Sequence, residues 1–514
     1  MMAVFSQSNP VRWLAIAGLV AAVAADPAGA SEATAGERRP NLVFIMADDL
    51  GYHEVGAYGQ EKILTPNLDR LAAEGLRFTR HYTGAPVCAP ARCVLMTGRH
   101  LGHAEIRNNK DSGLGGPFPG QYPISAEALT FATVLQRAGY RTGAFGKWGL
   151  GPANSTGAPS NHGFDLFFGY LCQRKAHSFY PPHLHHNNDP SPLNENPVPG
   201  HVRQPEGEVS ADDYRAEAYA PDEIRRRALT FLHEHADEPF LLYLPFIEPH
   251  VAMHPPQAWV DRYPQDWDEG REPYRGQNAY LPHPRPRAGY AAMISHLDDH
   301  VGAVLDALDE LGLADHTVVI FTSDNGTTHP GQDPAFHIGG VDAEFFQSTG
   351  ELRGWKGDVW EGGLRVPTIV RWPGRTEPGS VTAFPSYFPD WFPTLCALAG
   401  AELPVGAELD GIDLTPVLTG EGEPVRGQPM IWEFHGYRGQ LAVMDGPWKA
   451  VRQGVTTDRP GPWELYHIEN DPAESEDLAA RHPEILQRLV TAFEADRSPN
   501  EVFQLPLYDG GQGS

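Results

Sequence analysis

Short apolar runs alternate with stretches of helical spacing along most of the chain. NLVFIMADDL (41–50) is apolar up to a polar end, and TPNLDRLAAEGL (65–76) then repeats its apolar positions every three or four residues. ALTFATVLQRAG (128–139) predicts a helix closed by Gly139, and YRTGAFGKW (140–148) a strand after it. The pairing recurs in PDEIRRRALTFLHEH (221–235) with PFLLYLPF (239–246). It recurs again in the helical stretch Ala288–Leu311 with HTVVIFTSDNG (316–326). Such alternation predicts an α/β fold with a mostly parallel sheet covered by helices. The proline- and histidine-rich Tyr180–His201 reads as a long surface excursion, of the kind that walls a substrate site.

After FPDWFPTLCALAGA (388–401) the texture changes. DGIDLTPVLTGEGEPVRGQP (410–429) is a turn-rich connector. LAVMDGPWKAVRQ (441–453) and PWELYHI (462–468) predict antiparallel strands, and PEILQRLVTAFEADR (483–497) a closing helix. At the other end, Arg12 precedes the apolar run Trp13–Ala25 and a small-residue pattern ending at Ala30, the layout of an export signal. The expected organisation is an export signal over 1–30, a catalytic domain over 31–420 and a smaller α+β subdomain over 421–514. The expected location is periplasmic or secreted.

Composition narrows the partners. The 514 residues carry a formal charge of −27, which argues against nucleic acid and against docking onto anionic lipid. An acidic protein binds an anionic substrate only through a locally basic pocket, so clustered Lys, Arg and His are informative. Four cysteines are too few, and wrongly spaced, for a disulfide framework or a zinc site.

Polar groups fall at the ends of the predicted strands. Asp48 and Asp49 close the first, Lys147 closes TGAFGKW, His250 follows LLYLPFIEP, and Asp324 and Asn325 close VVIFTSDN. In open α/β sheets, ligands bind beyond the carboxyl ends of the strands. Crowded carboxylates with an amide oxygen suit a hard cation, calcium or magnesium.

GAPVCAPARCVLMTGRH (84–100) sets Cys88, Pro90 and Arg92 in C-x-P-x-R spacing, with Thr97-Gly98 downstream. Taken alone, a thiol beside a guanidinium could be a lowered-pKa nucleophile, half of a disulfide or core filling. The stretch resembles the signature of type I sulfatases, in the alkaline phosphatase superfamily. NLVFIMADDLGY, TPNLDRLAAEGLRFTRHY, YRTGAFGKWGLG, GFDLFFGYL, FTSDNG, LRGWKGDVWEGGLRVPTIVRWPG and WELYHIENDPAESEDLA resemble further sulfatase blocks in the usual order, from Asn41 to about Ala480.

The resemblance implies an alkaline-phosphatase-like sandwich, with a large mostly parallel central sheet flanked by helices and a C-terminal antiparallel sheet. It implies conversion of Cys88 to formylglycine by a formylglycine-generating or anaerobic sulfatase-maturing enzyme. It also implies a calcium ion, or magnesium, held by Asp48, Asp49, Asp324, Asn325 and the modified Cys88. Arg92 would hold the modified side chain, Lys147 and Lys356 the sulfate, and His250 would protonate the departing oxygen.

One position departs from the better-known pattern. Many sulfatases read G-K-W-H-L-G, whereas this chain has Gly149 in place of the histidine. A subset of bacterial sulfatases shares that glycine together with a later histidine-rich segment, here CQRKAHSFYPPHLHH (172–186). His177 is the expected substitute base, with Gln173 and Lys175 as neighbours. The function this implies is hydrolysis of a sulfate monoester on a sulfated small molecule or glycan, a carbohydrate sulfate being favoured. The alternatives are a formylglycine-dependent phosphonate or phosphodiester hydrolase and a non-catalytic protein that binds sulfated glycans.

Overall fold

The apolar runs become neighbouring strands because each can be buried on both faces. Asn41–Ala47, wholly buried, pairs in parallel with Phe240–Pro245 on one side and Thr317–Ser323 on the other. Arg141–Lys147 continues the parallel set beyond Phe240–Pro245, and Leu166–Tyr170 follows it. The computed structural model describes residues 39–111, 121–329 and 338–509; the export signal expected over 1–30 lies outside the described residues. Among the described residues the sheet has ten strands. In spatial order they are Ser380–Thr382, Leu76–Phe78, Thr368–Arg371, Thr317–Ser323, Asn41–Ala47, Phe240–Pro245, Arg141–Lys147, Leu166–Tyr170, His183–His186 and Asp189–Pro192.

Strand alternation divides the interior into two layers. Leu42, Phe44 and Met46 enter a core shared with the helices Cys88–Thr97 and Trp391–Leu398. Val43, Ile45 and Ala47 enter another, shared with Ala220–Glu234 and Pro286–Glu310. A helix layer on each face makes the sandwich expected from the sequence.

Two local expectations change. The helix predicted from Ala128 begins at Phe131, because Thr130 is extended and its side chain caps the helix by accepting from the Thr133 N–H at 3.1 Å. The segment Tyr180–His201 is not only a surface loop. His183–His186 pairs antiparallel with Leu166–Tyr170 and with Asp189–Pro192, so it extends the sheet edge. Backbone pairing to an open edge tolerates the prolines and histidines that concealed it.

Met430–Phe434, Gln440–Asp445, Trp448–Gln453 and Trp463–His467 form a separate antiparallel sheet. Ile431, Leu441, Val443 and Ala450 pack with Leu489 and Phe493 of the helix Pro483–Ala495. Trp432, Ala442 and Val451, on the other face, join the first core. On that face Lys449 is fully buried between Glu361 and Glu474, at 2.8 and 2.9 Å. Lys449→Met would leave two buried carboxylates without their cation. It is expected to destabilise the fold by about 3 kcal/mol, read as a lower urea midpoint with unchanged slope. A midpoint equal to that of the parent would show that this ion pair does not hold the small sheet in place. Among the described residues, no helix is long and apolar enough to cross a membrane.

Candidate active site

Because the central strands are parallel, their carboxyl ends deliver Asp48-Asp49, Asp324-Asn325, Lys147 and the Glu248–His250 segment to one edge. Cross-links hold the ends together: the Asp324 N–H donates to the Ala47 carbonyl at 3.0 Å, and the Leu50 N–H to the Ser323 hydroxyl at 2.9 Å. Asp49 takes a left-handed conformation with φ 70°, which aspartate tolerates better than most residues. Its N–H then donates to Asp324 Oδ1 at 3.2 Å.

Cys88 is the first residue of the helix Cys88–Thr97, buried, with its Sγ 3.4 Å from Asp48 Oδ1. Burial, reinforced by the Asp48 charge, pushes the thiol well above its usual range despite Lys147 and Lys356. All four cysteines are buried and none is in a disulfide. Of the three roles open to the thiol, half of a disulfide is excluded, and an activated thiolate is disfavoured because the reactive form is the one this pocket suppresses. One turn along, Arg92 donates from Nε and Nη2 to Asp324 Oδ2 at 3.1 and 2.7 Å, and from Nη1 to the Lys147 carbonyl. It is wholly buried and also lies 3.5 Å from Asp48 Oδ2.

Three carboxylates are thus matched by three fixed cations. Lys147 Nζ lies 2.5 Å from Asp48 Oδ2, and Lys356 Nζ 2.6 Å from Asp49 Oδ2. Burial opposes the charge on both lysines, but Asp48 raises Lys147 above the usual ammonium value and Asp49 raises Lys356 well above it. Burial likewise works against the ionised Asp48 and Asp49, and the neighbouring cations win, holding both below the usual carboxylate range. Asp324 goes the other way, to about 6, through burial and the Asp48 charge. Asp48, Asp49, Cys88 and His250 bring their ligand atoms within 4.8 Å of one another.

A hard cation fits this set. Asn325 donates its Nδ2 to Asp49 Oδ1 at 2.8 Å and to the Gly326 carbonyl at 2.9 Å. Its Oδ1 is buried without a hydrogen-bond partner, an unused oxygen donor on a residue already bonded to Asp49.

His250 is set by its own loop. Its Nδ1 lies 2.5 Å from the Val251 carbonyl, and its Nε2 3.6 Å from Asp49 Oδ2. Burial, countered by Asp49, lowers it to about 4. Behind it the Glu248 carbonyl accepts the Asp48 N–H at 3.0 Å. The buried Glu248 carboxylate is clamped by His296 Nδ1 at 2.7 Å and by the Tyr219 hydroxyl at 3.2 Å.

His177 joins the group. Its ring stacks on His250 with centroids 5.0 Å apart and planes at 16°. Lys175 is exposed. Gln173 covers Gly149, and a Cβ built on that glycine, whose φ is 82°, would stand 2.1 Å from Gln173 Nε2. Its amide, not an imidazole, fills the space where the better-known pattern carries histidine. Two further residues join the site that sequence reasoning misses. The Thr328 hydroxyl donates to Asp49 Oδ2 at 3.0 Å, and Tyr280 is ringed against His177 and His250. Thr328 has a usable signal, since it continues FTSDNGTT; Tyr280 sits in no motif.

The family model described as Sulfatase matches residues 40–401, more than two thirds of the chain. The chain belongs to the sulfatase family. A second model, described as N-sulphoglucosamine sulphohydrolase, C-terminal, matches this sulfatase over 353–497. It is 34% identical to human arylsulfatase A over 493 residues, covering 88% of this chain and 86% of the relative. It is 34% identical to mouse steryl-sulfatase over 456 residues, covering 78% and 68%. The solved structure of Ps i-CgsB in complex with k-i-k-neocarrahexaose superposes with a TM-score of 0.71 at 26% identity, covering 90% of this chain and 94% of that one. The sulfatase is a sulfuric ester hydrolase, of a family that is generally metal-dependent.

Proposed function

We propose that this sulfatase is exported and hydrolyses a sulfate monoester, with a sulfated glycan favoured over a small aryl sulfate, through a formylglycine made from Cys88 beside a calcium ion. The observation that carries the proposal is the placement of Cys88. It is the first residue of a buried helix, 3.4 Å from Asp48, with Lys147, Lys356 and His250 around the same carboxylates. The glycan preference draws on the oligosaccharide in the Ps i-CgsB structure and on the name of the second family model.

Asp48, Asp49, Asp324 and Asn325 would hold the cation, magnesium being the alternative of the same donor chemistry. When bound, it supplies Lewis-acid polarisation of the nucleophilic oxygen. Formylglycine supplies what a thiol cannot, a hydrate able to release sulfate by reforming its aldehyde. The chain's own residues do the rest. Arg92 holds Asp324 and Asp48 in place, and Lys147 and Lys356 present fixed charge to the sulfate oxygens and the leaving oxygen. His250, neutral while the site is empty of anion, gains proton affinity as the substrate's negative charge arrives, which suits it to protonate the leaving alcohol.

The test is the mass of the peptide carrying residue 88, from a periplasmic or secreted preparation in a host with a formylglycine-generating or anaerobic sulfatase-maturing enzyme. It should fall by about 18 Da, a thiol and hydrogen being exchanged for a carbonyl oxygen. That preparation should desulfate defined sulfated saccharides faster than it cleaves phosphodiesters or phosphonates. An unmodified thiol in an active preparation, or phosphodiester turnover outrunning sulfate release, would overturn the reading.

A further inference from the structure

The histidine-rich segment reaches the site as a relay whose proton positions follow from one backbone group. His177 Nδ1 lies 2.9 Å from His201 Nε2, and His201 Nδ1 accepts the Tyr280 backbone N–H at 3.1 Å. A backbone N–H can only donate, so His201 Nδ1 carries a lone pair. The neutral imidazole of His201 then has its proton on Nε2, and that N–H must donate to His177. His177 Nδ1 is therefore the acceptor, and the neutral ring of His177 carries its own proton on Nε2.

A second proton on His177 would set two N–H groups face to face, and one on His201 would oppose the Tyr280 N–H. The Tyr280 ring stacks on His201 at 4.8 Å and meets His177 at 5.1 Å, which holds both imidazoles in this arrangement. Burial and Arg174 favour neutral His201, and burial with His250 and Lys147 favours neutral His177.

We propose that His201 is a positioning residue that locks His177 in the Nε2–H form, so that His177 donates a hydrogen bond to a sulfate oxygen instead of accepting a proton. This reverses the role expected from the sequence, where His177 stands in for the base missing at Gly149. It rests on the sulfatase reading for the identity of the anion, but the relay itself does not depend on it. A base needs a lone pair on the nitrogen left to face the substrate, but the relay puts the proton on that nitrogen, Nε2, and engages the lone pair of Nδ1 with His201. The base, or the water that replaces it, then lies elsewhere, with the Gln173 amide above Gly149 as the polar group in the vacated space.

Inorganic sulfate, titrated calorimetrically into calcium-loaded full-length protein carrying Cys88→Ala, reads the donor without any turnover. His177→Ala is expected to weaken sulfate binding about tenfold, the scale of one hydrogen bond to a charged group. His177→Gln, whose amide still donates but is no base, should restore affinity to within about threefold. His201→Ala should weaken it while leaving the melting temperature close to that of the parent.

In the matured enzyme, His177→Gln should retain far more turnover than His177→Ala, and neither should show a burst of released alcohol. Unchanged sulfate affinity in His177→Ala, joined to a burst and equal loss of turnover in both variants, would overturn the proposal and restore His177 as the base. If the parent binds sulfate as described but its matured form fails to hydrolyse sulfate esters, the functional reading fails and the relay stands.

Discussion

Asp324→Asn is expected to lower turnover by about 1000-fold or more, because a metal's stabilisation of charge at the reacting centre is worth several kcal/mol. Asp324 is wholly buried and does three things at once. It takes two N–H groups of Arg92 on Oδ2, accepts the Asp49 N–H on Oδ1, and contributes charge beside Asp48. An amide keeps the shape and loses the charge, so the cation should bind much more weakly while the fold survives. Calcium should raise the melting temperature of the parent by mass action, by about 2.7 kcal/mol of added stability at a hundred times its dissociation constant. The variant should show little of that response. Running the same melts with magnesium distinguishes the two candidate ions. Parent-like turnover in the variant, or chelation that alters neither activity nor melting of the parent, would remove the metal from this site.

Asp324 and its neighbours are legible in the sequence for a topological reason. A run such as NLVFIMADDL must be buried on both faces until its polar end, and polar ends of parallel strands gather at one edge. Asp48, Asp49, Asp324, Asn325, Lys147 and His250 can therefore be grouped from hydrophobic pattern alone, and the family blocks add Cys88, Arg92 and Lys356. The relay His177–His201–Tyr280 is not legible. His201 and Tyr280 lie in segments with no period, and the backbone N–H that sets the tautomers of His201 and His177 leaves no trace in residue identity. Nor is Lys449 with Glu361 and Glu474, three charges far apart in sequence that meet only when the small sheet docks. Gln173 stands close to His177 along the chain, but only the space over Gly149 shows what its amide replaces.

Lys356→Ala is expected to lower turnover by about 100-fold to 1000-fold, the loss typical of one preorganised donor to a developing charge. The loop that carries Lys356 is tied on both sides of the site. The Lys356 N–H donates to the Thr327 carbonyl at 2.9 Å, and the Gly357 N–H to the Pro86 carbonyl at 2.8 Å, just ahead of Cys88. Gly357 has φ 92°, which a side chain would strain, so the backbone that carries the base of the Lys356 side chain is held in place. Asp49 keeps the Asn325 amide and the Thr328 hydroxyl but loses its ammonium partner, so some loss of stability is expected and turnover is compared well below the melting temperature of the variant. Lys356→Arg should not rescue fully, since a planar fork cannot replace a compact charge at 2.6 Å from Asp49. A series of sulfate esters with leaving alcohols of decreasing acidity assigns the charge. If Lys356 stabilises the leaving oxygen, the loss should grow as the alcohol becomes a poorer leaving group. A uniform loss along the series would place the ammonium on the sulfate oxygens instead, and a folded variant with near-parent turnover would remove Lys356 from the reaction altogether.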